Sequence, residues 1–263
     1  HVAQPEDEAF QDAVDRLPEG EREAPSSVRQ RIVDWVGQNE ACRKLIDQGI
    51  ARGAVEYPRS AKSVRLPFTV EEIGLVRRLA RLKGITSSVR IIEGDTREAA
   101  SEASSILKMG TMLIRAECMV VDYLVAKAIL GIGMGATYQA AMSRDASDDQ
   151  ARAAMDSLAA AKTTCDDLKR AYRVEFCRFF LPSIASFPDK ATHAELVTHY
   201  FADQMSSDFQ PNQRQSQELQ RCIAELMTLL EGHPRPFDKE ATIRLSSALT
   251  ARWFAQLDRP WLK

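Results

Sequence analysis

From Thr69 the chain reads Thr-Val-Glu-Glu, and behind it Leu75, Leu79, Leu82, Thr86 and Val89 recur at spacings of 4, 3, 4 and 3. Only a period of 3.6 residues returns those positions to one side, so the stretch is an amphipathic α-helix with Thr69 and Glu72 as its capping box. Gly94 stops it, and Asp95 opens a second helix whose inner side carries Ala99, Ala103, Ile106 and Leu107. A connection as short as Glu93-Gly94-Asp95 makes the two helices an antiparallel hairpin.

The same signals extend in both directions. A helical stretch runs from about Thr111 to Met142, and Ser147-Asp148-Asp149-Gln150 is a further capping box, opening a helix through Leu158, Cys165 and Leu168 toward Phe180. Pro182 and Pro188 interrupt the chain, and helices are expected over 192–205, 212–230 and 238–257. Upstream, Ser26 or Ser27 caps a helix through Val36; Asn39 caps another over Glu40–Ala51, with Gly53 as its stop. Residues 55–68, with Pro58 and Pro67, read as a linker or a surface loop. Only 12 Gly and 11 Pro in 263 residues, and no Asn-Gly or Asp-Gly pair, leave few of the turns that many short strands require. The expected fold is all-α: antiparallel helical hairpins stacked as a bundle or a short α-solenoid. One domain covers 28–263, with a possible sub-boundary in the 55–68 loop.

The net charge of −2 gives no whole-chain argument for nucleic acid or an anionic surface. It is unevenly spread. Residues 1–27 hold eight acids against Arg16 and Arg22, a net −6 that leaves +4 on the rest, and they read as an acidic, partly flexible leader with one short helix near 9–16. The basic excess concentrates in 59–90, where Arg59, Lys62, Arg65, Arg77, Arg78, Arg81, Lys83 and Arg90 face only Glu71 and Glu72. Such a stripe suits phosphates, but only Tyr57 and Phe68 are near for stacking, and Arg77 and Arg81 lie opposite the leucine stripe. The reading preferred is a solvated basic face at Arg77, Arg78 and Arg81, and nucleic acid is not the expected partner.

Motif chemistry is sparse. Gly131-Ile132-Gly133-Met134-Gly135-Ala136 matches the letters of a dinucleotide-binding loop, which must follow a strand. Here Val121, Leu124, Val125 and Ala128 make the preceding residues helical, so Ala128, Gly131 and Gly135 read instead as a small-residue stripe for close helix–helix approach. Cys42, Cys118, Cys165, Cys177 and Cys222 form no C-x-x-C and read mostly as small buried hydrophobes. Among His1, His193, His199 and His233 there is no H-E-x-x-H or E-x-x-H; Glu195 and His199 share a helix face, as an ion pair does. No cofactor and no metal are implied. The most apolar run, 119–136, contains Asp122 and Lys127, which are costly at membrane depth, so the visible chain is read as soluble.

One carboxylate stands in unusual company. Glu175 lies among Tyr172, Phe176, Phe179, Phe180 and Leu181, and Glu117 and Asp122 flank Cys118. Carboxyl groups in apolar surroundings are the kind that serve as general acids or bases, so Tyr172, Glu175, Glu117 and Asp122 are the candidate lining of an interior pocket. An ordinary ion pair of Glu175 with Arg173 or Arg178 is the competing reading.

Glu93-Gly94-Asp95-Thr96-Arg97-Glu98-Ala99, with Leu79-Ala80-Arg81-Leu82 before it and Ile106-Leu107 after it, resembles the turn of a tetratricopeptide-type hairpin. Over about 70–140 the chain is similar to uncharacterised bacterial helical-hairpin proteins. The aromatic and proline landmarks of the standard repeat are missing, and no 34-residue recurrence is present. The resemblance implies a protein- or peptide-binding surface and carries over no catalytic residue. It also implies a chain exported or membrane-anchored by an apolar segment upstream of His1. Three function classes therefore stand: a non-catalytic module binding an unknown protein or peptide, an enzyme or small-ligand protein using the pocket near Glu175, and nucleic-acid binding through 59–90. The sequence does not specify the oligomeric state.

Overall fold

The computed structural model describes residues 26–55, 70–116, 118–186 and 237–257, together with positions 190, 192, 195, 221, 224 and 228; among them every regular element is helical and none is a strand. The chain is all-α. Its residues group into two compact units, the first made of His1–Arg59 and Pro67–Tyr172, the second of Ser60–Leu66 and Arg173–Lys263. No shift in composition marks the division after Tyr172. The leader, the linker with Arg59, Lys62 and Arg65, Glu117, the four histidines and most of 187–236 lie outside the described residues.

In the first unit, α1 (Ser26–Gln38) and α2 (Glu40–Ala51) precede α3 (Val70–Ile92), α4 (Thr96–Arg115), α5 (Val120–Ala141) and α6 (Asp148–Ala160), and α7 (Cys165–Glu175) begins there. The hairpin between α3 and α4 forms as its residues demand. Gly94 takes φ +83°, a conformation that penalises any side chain, and Asp95 accepts the Glu98 N–H at 3.0 Å to cap α4. Asn39 stands at the start of α2 but does not cap it; its carboxamide donates backward to the Trp35 carbonyl at 2.8 Å and closes the end of α1.

The helix expected over 111–142 is in fact two. After Arg115 the chain turns extended, with Ala116 at ψ 166°, and Asp122 accepts the Met119 N–H at 2.9 Å to start α5. Arg170 donates to the Ile114 carbonyl at 2.8 Å and so satisfies the end of α4. No glycine or proline announces this break. The stretch expected from Ser147 toward Phe180 is broken in the same way: the Ser147–Gln150 box opens α6, but Thr164 donates to Asp167 at 2.8 Å to open α7 afresh.

The core is the packing of α4 and α5 on α3. Leu82, Ala103, Ile106, Leu107, Ile114, Ala126, Ile129 and Leu130 are buried together. Two reciprocal notches set the closeness of α4 and α5. A Cβ on Gly110 would lie 2.7 Å from Leu130 Cδ2, and one on Gly133 would lie 2.9 Å from Leu107 Cδ2. Each helix thus seats the other's leucine over a glycine, ridge into groove. Ile32 and Val36 of α1 join Val89 in a smaller cluster on the C-terminal half of α3.

In the second unit the five-residue π turn Phe176–Phe180 leads into α8 (Leu181–Ser186), and α9 (Lys239–Leu257) follows later. Pro182 therefore does not interrupt the helix. The Leu181 N–H bonds to Phe176 across the wider turn, and a π turn shifts the pairing where proline has no N–H to give. Asp238 caps α9 by accepting the Ala241 N–H at 2.7 Å, Lys239 donates to the Ala185 carbonyl at 3.0 Å, and the Arg173 guanidinium lies 5.1 Å from the Phe254 ring centre.

Candidate functional site

α5 is apolar on both sides, with Asp122 and Lys127 as its two charged residues, and by length and composition it would suffice to cross a membrane. A helix of that kind is either surrounded or has a use for its exposed side. One side is packed on α4, α3 and α6. The other side exposes nine residues: Val121, Leu124, Lys127, Ala128, Gly131, Met134, Gly135, Tyr138 and Met142. Lys127 is the single charge among them. At 100° per residue the nine fall within one arc of roughly 140°. Leu124 is 58% exposed, Tyr138 62% and Met142 67%, which is far from the burial such side chains normally reach.

The glycines divide between the two sides. The small-residue stripe of Ala128, Gly131 and Gly135 does not mediate close approach inside the fold; that task falls to Gly133, two positions along, which faces Leu107. A Cβ on Gly131 or Gly135 would meet nothing within 4 Å. Helix α5 runs unbroken through all three glycines, so no strand–loop–helix arrangement exists there for a pyrophosphate.

A second feature lies inside the first unit. Lys83 of α3 is 1% exposed and Glu102 of α4 is 3% exposed, with Lys83 Nζ 2.5 Å from Glu102 Oε2 and 2.7 Å from Asp47 Oδ1 of α2. Arg43 of α2 donates to the other Glu102 oxygen. The two cations and two carboxylates balance, and each carboxylate oxygen of Glu102 has a donor, which is the condition under which a buried ionic cluster is tolerated. Its geometry pins α2 to the α3–α4 hairpin. Lys83 therefore does not belong to the solvated basic stripe; its spacings of 4 and 3 from Leu79 and Thr86 put it on the inward arc. Arg77, Arg78 and Arg81 are exposed, while Arg90 is half-buried and pairs with Glu93 at 2.7 Å.

The four pocket candidates are dispersed in role. Asp122 is buried and holds the start of α5. Tyr172 is half-buried in the first unit, Glu175 is half-buried in the second, and Glu117 lies outside the described residues. Beside Asp122, Tyr123 is buried with a hydrogen bond to Thr163, whose hydroxyl also accepts from Lys127 at 2.6 Å. Burial pushes the Tyr123 hydroxyl above its ordinary value of 10.0; Asp167, Cys165 and Cys118 add to the rise and the Thr163 hydrogen bond opposes it. Glu195 accepts from the Thr192 N–H at 2.7 Å and hydroxyl at 2.9 Å, and these bonds hold its carboxyl below the usual range. Its proposed companion His199 is not described. Cys118 is buried, Cys42 and Cys165 are half-buried, and Cys177 is exposed. Among the described residues no group of three His, Cys, Asp or Glu is placed to hold a metal ion.

Comparison with protein-family models, with curated proteins and with solved structures finds no match to this chain.

Proposed function

We propose that the protein is a non-catalytic helical interaction module whose outward face of α5 receives an α-helical segment of a protein. The observation that carries this reading is the exposed arc from Val121 to Met142, eight apolar or small residues with Lys127 as its one charge. An apolar arc of this length, on a helix already anchored along its other side, suits helix-on-helix recognition of the coiled-coil kind, in which contacts recur at i, i+3 and i+7. Val121, Leu124, Ala128, Gly131, Gly135, Tyr138 and Met142 alternate at spacings of 3 and 4 over three heptads, the register of a coiled-coil seam. Tetratricopeptide-like stacking of the α3–α4 hairpin belongs to the same proposal, supported by the Gly94–Asp95 turn.

A photoreactive phenylalanine analogue in place of Tyr138 tests the reading. The expected result is a discrete protein adduct that Leu124→Arg abolishes and that Arg77→Glu, on a different helix, leaves intact. An absence of adducts, or adducts indifferent to Leu124→Arg, overturns it.

A further inference from the structure

We infer that the helix received on α5 is α5 of a second copy of this chain, crossing antiparallel at Gly131 and Gly135. This rests on the docking reading above and adds the identity of the occupant. The seam along the middle of the exposed arc has a symmetric order of sizes: Val121 and Leu124 at one end, Ala128, Gly131 and Gly135 in the middle, Tyr138 and Met142 at the other, with Lys127 and Met134 at the arc's edge. Two such helices related by a two-fold axis near Gly131 come closest where neither carries bulk and fill the widening gap at both ends with large side chains. Leu124 then lies beside the partner's Tyr138, and Val121 beside the partner's Met142.

The glycines support this independently of the large residues. Gly133 is accounted for by Leu107, whereas among the described residues nothing lies within 4 Å of a Cβ on Gly131 or Gly135, and glycine costs helix stability. A backbone passing close outside them is what their absence of bulk would admit. The one charge is compatible with this direction. Lys127 stands at the edge of the arc, roughly 70° from the middle of the seam, and its ammonium donates to Thr163 Oγ1 at 2.6 Å. In the antiparallel pair the two ammonium groups separate by roughly 13 Å along the axis, taking 1.5 Å per residue. From the fractional exposures, the face offers roughly 600 Å² on each copy, so complete coverage would bury at most about 1,200 Å², the lower edge of specific interfaces. The pair is therefore expected to be reversible.

Sedimentation velocity of the full chain across a concentration series gives the first readout. The expected result is a monomer–dimer equilibrium that Leu124→Arg weakens by roughly a hundredfold. Gly131→Leu should weaken it similarly without lowering the melting temperature of the dilute monomer, since a Cβ there meets nothing within 4 Å among the described residues. In a Cys177→Ser background, oxidation should cross-link Gly131→Cys to itself and Leu124→Cys to Tyr138→Cys in mixed samples, but not Leu124→Cys to itself. Self-linking of Leu124→Cys, or a dimer indifferent to Gly131→Leu, overturns the antiparallel crossing. A monomer at all concentrations also overturns the inference, and oxidative footprinting of Met134 and Met142 then separates two cases. Strong labelling leaves the docking reading with another occupant; protection shows the face covered by the chain itself and removes the docking reading too. A monomer that floats with phosphatidylcholine vesicles through these residues overturns the inference in favour of a lipid surface.

Discussion

Along α3 the inward arc carries Lys83 among Leu82, Thr86 and Ser87, whereas along α5 the outward arc carries Leu124, Tyr138 and Met142. The first unit has charge where apolar groups are expected and apolar groups where charge is expected. The two departures differ in kind. The buried cluster is closed: Glu102 meets Lys83 and Arg43, Lys83 also meets Asp47, and the result is directional, because Arg43 and Asp47 of α2 must both reach their partners at once. The exposed arc is open, and apolar contact has no direction of its own. Direction there has to come from shape, which is what a central pair of glycines between bulky ends provides. Charge thus specifies how the unit closes on itself, and shape specifies what it can accept.

The largest effect is expected at the closed side. Glu102→Met keeps the volume but removes the carboxylate that Arg43 and Lys83 share, leaving Lys83 with Asp47 alone, and should cost about 3–5 kcal/mol in urea unfolding. If charge balance and not hydrogen-bond geometry alone is at stake, adding Lys83→Met must recover part of that loss. A double variant no more stable than Glu102→Met would break the contrast between the two arcs, because the cluster would then matter for packing rather than for charge.

How much of this could be read in the sequence follows from the range of each interaction. The α3–α4 hairpin was legible because Gly94 and Asp95 act within a few residues of themselves. The start of α5 was not, because its cap is an aspartate bonding to Met119 across a break with no glycine or proline. The four-residue ionic cluster joins three helices over 59 positions of sequence, from Arg43 to Glu102, and no periodicity reports such a pairing. Lys83 and Glu102 did each stand on an apolar arc, and a charged residue in that position is the sign to look for. The glycines failed for a subtler reason. The 131–136 motif contains an inward glycine and two outward ones, and which side of α5 faces α4 depends on a partner helix that the local pattern does not contain.

That division of the glycines gives the next prediction. Gly133→Ala places a Cβ 2.9 Å from Leu107 Cδ2 and 3.1 Å from the Leu107 backbone nitrogen, so α4 and α5 must part. The cost should be about 1–3 kcal/mol. Gly131→Ala and Gly135→Ala should act in the opposite direction, each raising monomer stability by about 0.5–1 kcal/mol through helix propensity. Thermal unfolding of the three variants under matched dilute conditions checks the sign. A stabilising Gly133→Ala would mean that the inner side is looser than its distances imply, and the comparison of the two sides of α5 would lose its basis.

The smallest effect sharpens the polar end of the inner side. Tyr123 buries its ring, yet its hydroxyl still has Thr163 as a partner, so Tyr123→Phe should cost about 1 kcal/mol near neutral pH. Its pH dependence is the more telling measurement. Burial favours the neutral phenol, so the folded chain keeps the proton beyond the pH near 10.0 at which the unfolded chain releases it. The contribution is complete below that pH and disappears as pH climbs through the raised folded value, where stability falls because the unfolded state gives up its proton first. Lysines titrate in the same range, so the informative quantity is the difference between the wild-type chain and Tyr123→Phe, followed by melting temperature from about pH 9 to pH 11. The gap between them should narrow toward the alkaline end. A gap that stays constant would show that Tyr123 is not held neutral by burial, and that α5 begins in a wetter setting than the rest of its inner side.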